Sequence, residues 1–164
     1  MKDKKYHVLF LCSGNSVRSI FAEALLNRLG GERFLAFSAG SHPESSPHPL
    51  TLEVLSAQNI DISGLYCKNM ALFTTPEAPL MDFIFTLCDK TAGEICPQFP
   101  GNPITAHWGF EDPFKFEGSH AAIFHSFKNI EKQIATRLRL FLSLPLEKID
   151  RISLQTQLKQ LGRQ

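Results

Sequence analysis

The stretch that decides the fold runs Tyr6-His7-Val8-Leu9-Phe10-Leu11-Cys12-Ser13-Gly14-Asn15-Ser16-Val17-Arg18-Ser19. Its first half, residues 6–12, is a continuous apolar run rather than an alternating one, which suits a strand buried on both faces of a parallel sheet. A Gly-Asn turn follows. Beyond Ser19, the residues Ile20, Ala24, Leu25 and Leu29 recur at helical spacing until Gly30-Gly31 stops the segment. The reading is strand, short polar loop, helix, with Cys12 at the end of the strand and Arg18 at the start of the helix.

Working outward, residues 34–39 (FLAFSA) read as a second strand closed by Gly40, and residues 41–49 as a Pro/Ser/His loop. Residues 50–59 form a helix with Leu52, Val54 and Leu55 on its apolar face. Residues 61–75 are irregular, with a short helix or strand near Met70. Residues 82–87 (DFIFTL) are a third strand, 89–103 a loop rich in Gly and Pro, and 104–108 a short fourth strand. Residues 121–144 carry the longest helical pattern, with Ile123, Phe127, Ile130, Ile134, Leu138 and Phe141 three or four apart, and Pro145 ends it. Strands alternating with helices imply an α/β fold, a four-stranded parallel sheet flanked by helices on both faces. Residues 1–145 make one domain, and 146–164 a peripheral C-terminal helix or tail.

The chain has 164 residues, long enough for one complete core, and its 43% apolar and 20% charged residues are those of an ordinary globular protein. A net charge of +1 gives no electrostatic case for nucleic acid or an acidic membrane surface, so any anion specificity is local. No apolar run approaches the roughly 20 residues that span a bilayer, and the short run after the basic N-terminus is no secretory signal. The expectation is a cytoplasmic monomer. Cys12, Cys67, Cys88 and Cys96 are then catalytic, metal-binding or core thiols rather than structural disulfides.

The loop of residues 12–19 has a definite chemistry. In a strand–loop–helix of small residues, backbone N–H groups converge on one point that also faces the positive end of the helix, and a tetrahedral oxyanion fits there. Ser13, Gly14, Asn15, Ser16, Val17 and Arg18 are the expected oxyanion-binding residues. The same field favours the thiolate of Cys12. The planar fork of Arg18 can hold two anion oxygens at once. Gly14 permits close approach or positive φ, Asn15 tolerates a left-handed conformation, and Ser19 is placed to donate to the Cys12 sulfur. Taken alone, a cysteine and an arginine with five residues between them are more often a buried strand thiol beside an exposed cation.

The loop CSGNSVRS resembles the active-site loop of the low-molecular-weight tyrosine phosphatase superfamily. Residues 87–113 (LCDKTAGEICPQFPGNPITAHWGFEDP) are similar to the thioredoxin-coupled arsenate reductases of that superfamily, and Phe37-Ser38-Ala39-Gly40 matches the family's second strand. The resemblance covers roughly residues 6–144. It implies Cys12 as the nucleophile toward arsenate, with release of arsenite, and side phosphatase activity. It implies Asp112, ahead of Pro113, as the general acid, with His107 and Trp108 as scaffold; Glu111 does not match the motif position. It also implies a relay. Cys88 would attack the Cys12 adduct, and Cys96, beyond seven intervening residues, would attack Cys88. An external thiol, thioredoxin or glutaredoxin/glutathione, would then reduce the Cys88–Cys96 disulfide. Some such reductases hold a potassium ion, and Asn15, Glu23 and Ser38 match part of that site. Many relatives have a second cysteine before the loop arginine, where this chain has Val17. Cys67 matches no motif position and reads as structural.

Two other functions stay open on the residues alone. A phosphatase would use Cys12, Arg18 and Asp112, with Phe114 and Phe116 flanking a substrate ring. A non-enzymatic redox sensor would use Cys88 and Cys96 as its switch, and two thiols at this spacing are also half of a zinc site, though such sites favour shorter spacings.

Overall fold

The apolar N-terminal run becomes an inner strand. β1 (Tyr6–Leu11) pairs with β2 (Phe34–Ala39) on one side and β3 (Phe83–Thr86) on the other, and β3 pairs with β4 (Ile104–His107). All three pairings are parallel, giving the order β2-β1-β3-β4. The computed structural model describes residues 5–88 and 99–162. Most of the loop expected over 89–103, including Cys96, lies outside those residues.

The chain leaves β1 for β2 on one side and later returns to β3 on the other. This reversal opens a crevice at the carboxyl ends of β1 and β3, where open α/β sheets bind ligands. The register brings those ends level: Leu11 pairs with Thr86, and Leu87 N donates to Leu11 O at 2.9 Å. Cys12 and Cys88 are the next residues to emerge, one from each strand.

One face of the sheet, carrying Val8, Phe10, Phe34, Phe83, Phe85 and Ala106, packs against α1 (Arg18–Leu29), α2 (Pro49–Ser56), α3 (His120–Leu142) and α4 (Arg151–Leu161). The helices begin where local chemistry lets them. Pro49 opens α2 behind a His48 cap, and Ser119 and Asp150 accept from Ala122 N and Ser153 N at 3.1 and 2.9 Å. The opposite face presents Leu9, Leu11 and Ile84 to Met70, Phe73 and Met81. Among the described residues its helical cover is the 3-10 helix Met70–Phe73, the short element expected near Met70.

The C-terminal segment is not peripheral. Leu154, Leu158 and Leu161 put one face of α4 into the main core. The Trp108 indole stacks on Phe85, with ring centres 3.9 Å apart, and donates from Nε1 to Leu158 O at 2.9 Å. At about 2 kcal/mol for each buried leucine, this contact is a sizeable part of a domain's stability. The spacing of those leucines marks the face that packs, but the polar residues between them conceal where it docks.

Candidate active site

The loop of residues 12–19 is built by turning its carbonyls outward. The Ser13, Gly14 and Ser16 carbonyls accept from His42 N, Glu44 N and His48 N at 2.9, 2.9 and 3.1 Å, and Thr51 Oγ1 also donates to Ser16 O. The segment after β2 is therefore a brace for the loop. Asn15 has φ 50°, the left-handed conformation anticipated for it, and is fully buried. Its side chain donates to Ser19 Oγ at 2.8 Å and Ser38 Oγ at 2.9 Å, and accepts from Lys68 N at 2.8 Å. Gly40 sits so close beneath the loop that a β-carbon there would lie 2.4 Å from Ser13 O.

A cavity of about 840 Å³ opens above the loop, and Cys12, Arg18, Cys88 and Asp112 all line it. Ser13, Gly14, Ser16 and Val17 contribute to its wall, while Asn15 stands behind as a brace. Arg18 is buried. Its Nη1 donates to Phe110 O at 3.1 Å, and its Nε has no hydrogen-bond partner among the described residues. A buried guanidinium donor in that state can receive an oxyanion.

Asp112 reaches the cavity from the loop after β4. That loop is set by Trp108 N to Thr86 O at 2.7 Å and Phe110 N to Leu87 O at 3.2 Å, while His107 Nδ1 meets Thr86 Oγ1 at 2.8 Å. Asp112 has the extended backbone that precedes proline, and its Oδ1 accepts from Phe114 N at 2.9 Å, capping the 3-10 turn Pro113–Lys115.

Cys12 and Cys88 are both buried and both line the cavity, and the Cys88 thiol is the strongest influence on the Cys12 thiol. That influence, then burial, raises the Cys12 thiol well above its ordinary range, while the Arg18 charge and the Gly14 N–H pull it down. The thiolate preference expected from the loop is outweighed in the free protein, because sequence shows the helix and the arginine but not the second sulfur. Ser19, expected to donate to Cys12, has its oxygen engaged as an acceptor from Asn15. Cys67 is half-buried, with its thiol raised by burial.

Asn15, Glu23 and Ser38 do gather, but around a different cation. Ser38 Oγ donates to Glu23 Oε1 at 2.5 Å, and the buried Lys68 ammonium lies 3.6 Å from that same oxygen. With Asn15 committed on both its polar atoms and the carboxylate already facing an ammonium, the residues present do not fit an added potassium ion. Sequence reasoning missed Lys68, and also Gly40 and Arg137. Arg137 lines the cavity from α3 with its guanidinium 4.8 Å from the Phe110 ring centre. The periodicity of α3 marks its core face but gives no sign that Arg137 meets the loop that carries Asp112.

Comparison with known proteins places this arrangement. An arsenate reductase of Halalkalibacterium halodurans is 31% identical over 134 residues, covering 82% of this chain and 93% of that protein. The structure of a thioredoxin-dependent arsenate reductase of Corynebacterium glutamicum is 30% identical with TM-score 0.62, covering 90% of this chain and 66% of that one. An arsenate reductase in its oxidised state superposes with TM-score 0.66 at 26% identity, covering 87% and 98%. The profile of the low molecular weight phosphotyrosine protein phosphatase family matches residues 7–155, and the chain belongs to that family.

Proposed function

We propose that this protein reduces arsenate to arsenite, with Cys12 as the nucleophile and Cys88 and Cys96 carrying the oxidation away. The observation behind this reading is the thiol of Cys88 sharing an oxyanion cavity with the thiol of Cys12. A hydrolytic phosphatase needs the loop, Arg18 and an acid, but has no use for a second thiol beside its nucleophile.

Arsenate docks among the loop N–H groups of residues 13–18, with Arg18 holding two of its oxygens. The Cys12 proton passes to a basic oxygen of the arsenate as sulfur attacks arsenic. Asp112 protonates the departing oxygen, which leaves as water. The Cys88 sulfur then attacks Cys12 sulfur. The sulfur–arsenic bond breaks with its electron pair left on arsenic, which departs as arsenite and takes up the Cys88 proton. A Cys12–Cys88 disulfide remains, joining two thiols that line the same cavity. Attack by Cys96 on Cys88 frees Cys12, and an external dithiol supplies two electrons per arsenate.

We infer thioredoxin as that dithiol, acting on a monomer in a reducing cytoplasm, because the Corynebacterium relative is thioredoxin-dependent. The test is arsenite production with thioredoxin, thioredoxin reductase and NADPH, run beside glutaredoxin and glutathione. Wild type is expected to turn over many times, Cys96→Ser to stop after about one arsenite per chain, and Cys88→Ser to release no arsenite, as the relay requires. Undiminished turnover by Cys88→Ser would end the proposal. Phe114, 61% exposed and lining the cavity, favours side phosphatase activity on aromatic phosphoesters, read with p-nitrophenyl phosphate.

A further inference from the structure

A second cluster of buried charge lies behind the oxyanion loop, and its members Glu23 and Lys68 are not among the residues lining the Cys12 cavity. Their side chains are 13% and 7% exposed, so each charge depends on the other. From Glu23 Oε1 the contacts run to Ser38 Oγ, from there to Asn15 Nδ2, and from the same amide to Ser19 Oγ. Lys68 closes the circuit from the other end, its own N–H donating to Asn15 Oδ1. Asn15 is the loop residue in the left-handed conformation, so this circuit holds the most constrained point of the loop.

The ammonium itself has the surroundings of an alkali ion. It faces the Glu23 carboxylate, donates to Tyr66 O at 2.7 Å and lies 4.2 Å from the Tyr66 ring centre. Oxygen ligands and a ring face suit a weakly hydrated monovalent cation, and ammonium and potassium are close in size and charge. Burial raises the Glu23 carboxyl while Lys68 and Ser38 pull it down, so the carboxylate needs a cation beside it.

We propose that Lys68 is a positioning residue whose ammonium serves as a built-in monovalent cation, holding the oxyanion loop in its binding shape through Glu23, Ser38 and Asn15. The proposal rests on the oxyanion reading of the loop, but not on which reaction follows. A separate cleft of about 320 Å³ borders Glu23 and is lined also by Asn27, Arg28, Asn59 and Asp61, and an external cation would enter the cluster from there. Truncating the ammonium therefore turns an intrinsic cation into an external requirement.

The experiment measures phosphate affinity by calorimetry in choline chloride and in potassium chloride at equal ionic strength. Wild type binds equally in both. Lys68→Met keeps the length of the stem and is expected to lose about tenfold in choline chloride, a typical coupling between linked sites, and to recover in potassium but not lithium chloride. With arsenate as substrate, the same variant raises KM more than it lowers kcat. Lys68→Met combined with Glu23→Gln removes both charges and regains affinity in choline chloride, which separates charge balance from packing. Wild-type affinity in Lys68→Met without potassium, or a loss that neither potassium nor Glu23→Gln restores, overturns the proposal. If wild type binds phosphate but makes no arsenite, the reductase reading fails and this one stands. If wild type binds no phosphate, both fall.

Discussion

Arg18 and Phe110 are fastened together, Nη1 of the guanidinium donating to the Phe110 carbonyl at 3.1 Å. One arginine therefore holds the wall of the Cys12 cavity and, two residues before Asp112, the loop that carries that carboxylate. Arg18→Lys keeps the charge but loses the planar fork and this tie. Its kcat/KM for arsenate is expected to fall by about 100-fold or more, with kcat as well as KM affected. A variant within about fivefold of wild type would show that Arg18 acts only as a point charge.

The raised titration of Cys12 has Cys88 as its largest cause, then burial. Replacing Cys88 by alanine removes that second thiol and its like charge, and leaves Arg18 and the Gly14 N–H in place. The midpoint for alkylation of Cys12 by iodoacetamide, followed on its own peptide by mass spectrometry, is expected to move to lower pH in Cys88→Ala. A midpoint that stays or rises would show that burial alone holds the thiol protonated.

Oxyanion binding should stabilise the fold. At a phosphate concentration 100 times its dissociation constant the gain is about 2.7 kcal/mol, which for a domain of this size raises Tm by roughly 5–10 °C. Arg18→Ala is expected to abolish the shift, and calorimetric melting with and without phosphate reads it. An equal shift in wild type and variant would place the anion elsewhere.

Gly40→Ala puts a β-carbon 2.4 Å from Ser13 O and 2.6 Å from Cys12 O. Both neighbours are backbone, so the loop itself must move. Phosphate affinity is expected to fall by about tenfold or more, since displacement of a binding loop weakens each of its contacts. Unchanged affinity by titration calorimetry would mean that the loop tolerates a shift larger than its bracing suggests.

Leu158→Ala removes a fully buried side chain from the seam between α4 and β4. Urea unfolding should show a loss of about 2–5 kcal/mol, the range for a large-to-small change in a core. A loss under about 0.5 kcal/mol would return this helix to the periphery.

The sequence shows most clearly the features carried by neighbours in the chain. The apolar run of β1, the alternation of strands and helices, and the strain point at Asn15 follow from local pattern, and β2 occupies residues 34–39 as read. Cys12, Arg18 and Asp112 share a cavity because motif and topology point the same way. What the sequence hides depends on contacts between distant segments. Lys68 is one lysine among many until Glu23 is found beside it. The protonation bias of Cys12 comes from a residue just beyond the end of another strand, and it reverses the direction that the loop alone dictates. The last helix looks polar because only Leu154, Leu158 and Leu161 meet the core.

The bond from Trp108 Nε1 to Leu158 O has a practical corollary, because the chain contains a single tryptophan. All indole fluorescence comes from the junction where the final helix meets the last strand, at the root of the segment that leads to Asp112. Its emission wavelength thus acts as an internal optical gauge of that junction, without any attached dye.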